Sequence, residues 1–204
     1  MTEMNALSRF FVNLRTGRAS RRRYQWLRGK LHLPPHAGCL EIGCGNGDFA
    51  ARVVEGLLPE HYLATDLDPR QVDVAQRHLS RLFPQGIPAA LELRTADMLA
   101  LPFPDSSFDA VFAFNVLHHT SAEHRDFSNV PRALAEVDRV LRPRGNFAYQ
   151  DFLHTEKIRA WLSGRGYAIP AMERRWKREI VLAIKTGVGP DPAPGERPTA
   201  SRTV

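Results

Sequence analysis

The sequence predicts an α/β fold: a doubly wound, mostly parallel sheet with helices on both faces. Three observations carry that expectation. Short apolar runs alternate with stretches of helical period from about residue 38 to residue 164, the pattern of repeated βαβ units with right-handed crossovers. Leu40-Glu41-Ile42-Gly43-Cys44-Gly45-Asn46-Gly47 reads as a buried strand that stops in a glycine-rich turn and restarts as a helix. After residue 166, two apolar runs are separated by too little chain for a helical crossover, so that pair is expected to be antiparallel.

Each element has its own signal. Residues 5–32 predict one or two helices with Phe10, Phe11, Leu14, Tyr24, Leu27 and Leu31 turned inward, ended by Pro34-Pro35. The first strand covers about 38–43. Phe49, Ala50, Val53, Val54, Leu57 and Leu58 then recur at helical spacing over 47–58. His61 to Asp66 is the second strand. Asp68-Pro69 follows with a capping side chain and a proline at the first helical position, opening a helix over 69–82 with Val72, Ala75 and Leu79 on one face. Ala90 to Thr95 and the very apolar Phe108 to Phe114 are the third and fourth strands. Val130, Leu134, Val137 and Leu141 mark a helix over 130–142, which Pro143-Arg144-Gly145 is expected to stop before a fifth strand at 146–151. A short helix near 155–164 and strands over 167–175 and 178–186 complete a seven-stranded sheet. The chain divides into an N-terminal helical cap (1–35), one α/β domain (36–186) and a proline- and glycine-rich tail (187–204) expected to be disordered.

Composition narrows the class. With 204 residues, 43% hydrophobic and 25% charged, the chain has the make-up of a globular domain with a full core. No apolar run approaches the roughly 18 residues of a membrane-spanning helix. The two cysteines, Cys39 and Cys44, sit in the first strand and its turn and read as small buried residues, which suits a reduced, cytoplasmic setting. The net charge is +6 and the pI about 9.8. Arginine supplies most of it, with Arg9, Arg15, Arg18, Arg21, Arg22, Arg23 and Arg28 in the N-terminal segment. A solvated helix face explains such a run, and docking to an acidic substrate, a phosphate or an anionic membrane surface stays open.

The candidate site lies at the carboxyl ends of the strands, where doubly wound sheets bind ligands. Three glycines at alternate positions, Gly43, Gly45 and Gly47, let the backbone turn tightly and approach a ligand that a Cβ would exclude. The following helix aims its N–H groups there. Asp66 ends the second strand at the distance where such folds place an acid on ribose hydroxyls. Asp97 ends the third, where a carboxylate can accept from a purine amino group while the N–H of Met98 donates to the ring. A helix-capping or turn role for Asp66 and a loop role for Asp97 are the alternatives.

These residues also carry a family resemblance. Glu41 to Gly47, Ala64-Thr-Asp66-Leu-Asp68-Pro69, Ala96-Asp97-Met98 with Leu101-Pro-Phe-Pro-Asp105, Phe108 to His119, and Glu136-Val-Asp-Arg139-Val-Leu-Arg-Pro143 resemble the class I S-adenosylmethionine-dependent methyltransferases, most closely the type 11-like group. The resemblance covers about residues 36–186 and implies a Rossmann-like fold with S-adenosylmethionine as cofactor. It implies Gly43, Cys44, Gly45 and Gly47 beneath the methionine part, Glu41 near its ammonium, Asp66 on the ribose, Leu67 against adenine, Asp97 and Met98 at the adenine edge, and the backbone of Asn115 beside the transferred methyl. The third glycine comes one place earlier than in G-x-G-x-x-G, consistent with a cofactor that has no pyrophosphate. Where the group usually has Pro-Gly-Gly before strand five, this chain has Pro143-Arg144-Gly145.

Methyl transfer needs positioning and exclusion of water, and a base only when the acceptor must lose a proton. His118 and His119, just past the fourth strand, are the candidates for that base, a structural or gating role being the alternative. Tyr24, Trp26 and Arg23 could cap the pocket from the N-terminal helix. Phe114-Asn115-Val116-Leu117 lacks the Asn/Asp-Pro-Pro-aromatic motif of nucleobase amine methylation, lysines are few, and no metal-ligand cluster is apparent. A small or medium organic acceptor is therefore the leading expectation, and a nucleic acid is disfavoured. Two alternatives remain: an RNA, protein or lipid acceptor docked by the basic N-terminus, and a cofactor-binding module without catalysis.

Overall fold

The structure, a computed structural model, describes residues 6–121 and 126–187, with side chains from residue 17 onward. Expectations for Phe10, Phe11, Leu14 and the tail beyond residue 187 lie outside the described residues. The chain runs α1 (Ala6–Leu27), β1 (Gly38–Ile42), α2 (Asp48–Leu57), β2 (His61–Asp66), α3 (Pro69–Leu82), β3 (Leu91–Thr95), β4 (Phe108–Phe114), a 3-10 turn (Leu117–His119), α4 (Val130–Val140), β5 (Leu141–Asp151), α5 (Thr155–Gly164), β6 (Tyr167–Arg175) and β7 (Arg178–Lys185). The seven strands form one sheet in the order β3-β2-β1-β4-β5-β7-β6. β1 to β5 pair in parallel, and β7 joins antiparallel to both β5 and β6.

Alternate strand residues feed two cores. Cys39, Tyr62, Ala64, Phe112, Ala148 and Leu182 pack under Leu27 of α1, Phe49 and Val53 of α2, and Ala75 and Leu79 of α3. Leu40, Leu63, Val111, Phe147, Tyr149 and Val181 pack on the other face under Leu134 and Val137 of α4 and Ile158 and Leu162 of α5. A strand covered on both faces is apolar along its covered length, which is why β4 carries no alternation from Ala110 to Phe114. Both cysteines are buried and free.

Local signals explain the element ends. The Asp68 carboxylate accepts from the N–H of Arg70 at 2.9 Å, so α3 begins where the capping pair predicts. Three expectations need correcting. Leu58 does not belong to the apolar face of α2; it caps that helix in the left-handed region (φ 51°) and its side chain is 78% exposed. α1 is one helix that ends at Leu27, not at the proline pair. Pro143-Arg144-Gly145 does not stop α4, because Leu141 is already extended and pairs with Phe108, so β5 begins about five residues earlier than expected. Arg144 instead holds φ 65° in a bulge, where the resemblance has glycine.

Candidate active site

The turn after β1 is built from glycines that serve different ends. At Gly43 (φ 72°) a Cβ would lie 2.6 Å from Val116 Cγ2, so the turn is pressed against the chain leaving β4. At Gly45 (φ 58°) a Cβ would meet nothing within 4 Å. Gly45 therefore faces open space rather than protein, which is the local requirement for a ligand approaching the backbone. The N–H of Cys44 donates to Thr65 O at 2.8 Å and ties the turn to β2.

Two carboxylates border this turn. Glu41 is buried, and the Tyr62 hydroxyl donates to its Oε2 at 2.9 Å. Burial pushes the Glu41 carboxyl up to about 8, opposed by the Tyr62 hydrogen bond and by nearby Arg23. Asp66 accepts from the N–H of Gly45 at 3.3 Å and from the N–H of Asp68 at 3.2 Å. Burial also raises the Asp66 carboxyl, against those backbone donors. Beyond Asp66, Leu67 stands 38% exposed.

The end of β3 is held from a distance. Asp97 Oδ1 accepts from the N–H of Leu99 at 2.9 Å, an Asx turn that fixes the loop, and Met98 is buried. Arg139 of α4 braces the next stretch, donating to Phe103 O at 2.7 Å, Leu101 O at 2.9 Å and the Asp105 carboxylate at 2.9 Å. Glu136 accepts from the N–H of Leu101 at 2.8 Å.

Past β4, Asn115 adopts φ 54°, its N–H donates to Gln150 O at 2.6 Å, and its buried Oδ1 has no hydrogen-bond partner among the described residues. The 3-10 turn then delivers His118 to Asp151 at the end of β5. The His118 ring faces the carboxylate through Nδ1 at 3.0 Å, and its backbone N–H donates to the same group at 3.3 Å. Asp151 is fully buried and also accepts from the N–H of Phe152 at 2.7 Å. The His119 ring lies 4.0 Å from that of His118, centroid to centroid. From α1, Arg23 donates to Gln150 Oε1 at 2.7 Å and lies 5.1 Å over the Phe114 ring; burial lowers its guanidinium to about 10.

The predicted residues thus lie along one edge, at the carboxyl ends of the strands. Glu41, Gly43, Cys44 and Gly45 adjoin Asp66, and Val116 links the turn to the His118 segment. Asp97 and Met98 stand one strand farther out. Sequence reasoning missed Asp151, although a carboxylate ending a strand is the signal that singled out Asp66 and Asp97. A groove of about 340 Å³ lined by Pro34, Asp109, Pro143 and Asn146 lies at the opposite edge and holds none of these residues.

Comparison with known proteins decides the family. Residues 40–149 match the model of a methyltransferase domain. The chain belongs to this methyltransferase domain family. It is 32% identical over 149 residues to the phthiotriol/phenolphthiotriol dimycocerosates methyltransferase of Mycobacterium leprae, covering 73% of this chain and 49% of that protein. It is 36% identical over 127 residues to the 27-O-demethylrifamycin SV methyltransferase of Amycolatopsis mediterranei, covering 59% and 41%. The chain thus spans about half the length of the curated relatives it matches. Among solved structures, a SAM dependent methyltransferase from Aquifex aeolicus superposes with TM-score 0.68 at 17% identity, covering 90% of this chain and all of that one. The cyclase SpnF superposes with TM-score 0.66 at 19% identity, covering 82% and 80%. Both likenesses are of fold.

S-adenosylmethionine is the cofactor that a methyltransferase domain of this family implies, and the residues present suit it. Gly45 opens onto empty space, and Asn115 Oδ1, without a partner among the described residues, is buried at the neighbouring strand end. Asp66 at the end of β2 would repel a pyrophosphate but suits ribose hydroxyls, and Glu41, once ionised, suits an ammonium. Among the described residues no group of His, Cys, Asp and Glu could hold a metal ion, and no helix is long and apolar enough to cross a membrane.

Proposed function

We propose that this domain transfers a methyl group from S-adenosylmethionine to a hydroxyl of a small or medium-sized organic acceptor. The observation that carries the reading is the His118–Asp151 pair beside the glycine turn. A buried carboxylate accepts only, so it assigns the ring proton to Nδ1 and leaves Nε2 as the basic nitrogen. His118 Nε2 takes the acceptor's hydroxyl proton as the new carbon–oxygen bond forms, and Asp151 stabilises the imidazolium that results. The His119 ring lies tilted against that of His118.

The remaining residues bind and orient. Gly43, Cys44, Gly45 and Gly47 pass beneath the methionine part, Glu41 takes its ammonium, and Asp66 takes the ribose hydroxyls. Leu67 offers an exposed apolar face to adenine, while Asp97 Oδ2 and the N–H of Met98 read its edge. The backbone of Asn115 lines the reacting end. The bound cofactor supplies a methyl made electrophilic by a sulfonium sulfur, open to in-line displacement. Arg23 of the N-terminal helix, over Phe114 and on Gln150, covers the site and excludes water. The domain division into cap and catalytic body rests on that contact.

The relatives support the acceptor class: one is named for a rifamycin 27-O position and another for a phthiotriol. The test is incubation of the full chain with methyl-labelled cofactor and fractionated hydroxylated metabolites. Label in a small-molecule product is expected, and no transfer to any such fraction would overturn the reading. Asp66→Ala is expected to weaken cofactor binding by roughly tenfold to a hundredfold, as loss of charge-assisted hydrogen bonds does; unchanged affinity in a calorimetric titration would remove Asp66 from the site.

A further inference from the structure

The turn joining β6 to β7 is the most exposed apolar point among the described residues. Trp176 is 95% exposed and sits at φ 58° in this turn. Four cations surround it: Arg174, Arg175, Lys177 and Arg178. Arg174 leans back on Glu156 at 3.8 Å and on Glu179 at 3.6 Å. Arg175, Lys177 and Arg178 have no carboxylate partner among the described residues, and all three are exposed.

The register places this turn on the site's edge of the molecule. Asp151, which holds His118, pairs with Glu179, and the strand then runs outward through Arg178 to the turn. Arg178 is near enough to Arg23 for the two charges to oppose each other. α1 carries Arg18, Arg21 and Arg22 on the same helix as Arg23, and those three are exposed. Phe152, one residue past Asp151, is also 39% exposed.

An indole in water at the point of a hairpin, flanked by Arg175, Lys177 and Arg178, suits one environment. Tryptophan partitions to the headgroup level of a bilayer, where its ring is half in hydrocarbon, and neighbouring arginine and lysine are drawn to anionic headgroups. A single projecting ring on a convex turn offers no groove to track a nucleic-acid backbone and no row of aromatic faces for successive bases. We propose that the β6–β7 turn is an interfacial anchor that seats the carboxyl edge of the sheet on an anionic lipid surface. This surface is separate from the methyl-transfer reading, and its test does not involve turnover.

The test is co-sedimentation of the full chain with vesicles of phosphatidylcholine alone and of phosphatidylcholine with phosphatidylglycerol. Binding is expected only to the anionic vesicles and is expected to fall steeply with salt. Trp176→Ala should weaken it by about tenfold, and the combined Arg175→Gln, Lys177→Gln, Arg178→Gln variant by about a hundredfold. Circular dichroism should show both variants folded, since all four side chains are exposed. Absence of binding to anionic vesicles would overturn the proposal. So would binding that both variants retain, which would place the contact on α1, or a single-stranded RNA that binds tighter than the vesicles and is lost in the same variants.

Discussion

The carboxyl ends of β1 and β2 are built largely from backbone, whereas the ends of β4 and β5 are built from side chains. On the first side the defining features are three positive-φ glycines, an N–H on Asp66 and a buried Glu41 held by Tyr62. On the second, His118 and Asp151 meet across 33 residues of sequence and two neighbouring strands. On the proposed reading the first side holds the cofactor, which a fixed backbone shape serves. An acceptor differs, and side chains can be exchanged without disturbing the sheet.

The largest effect separating the two sides is expected at Gly43. Gly43→Ala sets a Cβ against Val116 in a left-handed conformation and should cost about 3 kcal/mol of stability by chemical denaturation. Gly45→Ala should cost only about 1 kcal/mol, since nothing lies in the way, yet it should abolish most cofactor affinity. Equal stability losses at the two positions would erase the distinction drawn between packing and ligand approach. Next in size are His118→Ala and Asp151→Asn. Each should lower kcat by about a hundredfold or more, with cofactor affinity unchanged by titration. A pH–rate limb present in the parent and missing from His118→Ala would separate base catalysis from mere support.

Glu41 offers a smaller and more diagnostic effect. A carboxyl lifted from 4.5 to about 8 contributes stability that is complete below the lower value and is lost as pH rises through the upper one. Denaturation midpoints should therefore fall between about pH 5 and 8, with a slope of at most about 1.4 kcal/mol per pH unit, and Glu41→Gln should flatten that slope. Cofactor affinity should run the other way, rising with pH as Glu41 ionises to meet an ammonium, and should lose that rise in Glu41→Gln. The smallest effect is expected far from both sides. Arg144→Gly relieves a positive φ at the opposite edge and should raise stability by about 1 kcal/mol with no change in turnover.

The contrast between the two sides also explains what can be read from the chain. β2, α3 and β4 begin and end where local chemistry says, because Asp68-Pro69 caps α3 and the apolar run Ala110–Phe114 dominates β4. The glycine turn and the strand-end aspartates are equally local. Leu141 reads as helical because it continues the spacing of Leu134 and Val137 in α4, but pairing with Phe108 draws it into β5. Leu58 reads as inward for the same reason, and only the left-handed end of α2 turns it out. Asp151 is visible in the sequence as a residue but not as a partner, because its pairing with His118 depends on β4 and β5 being neighbours in the sheet. The bracing of the β3 loop by Arg139 is of the same kind.

The position of β7 has a consequence for how the molecule is made. It is the last strand among the described residues but lies between β5 and β6 in the sheet. During synthesis β6 emerges before β7 and finds no neighbour it can join, since β7 supplies its one partner strand. Until residues 178–185 leave the ribosome, β5 remains an open edge with unpaired backbone groups, the state in which a sheet is most prone to pair wrongly. The β6–β7 hairpin therefore closes this edge of β5 in a single step that adds two strands together.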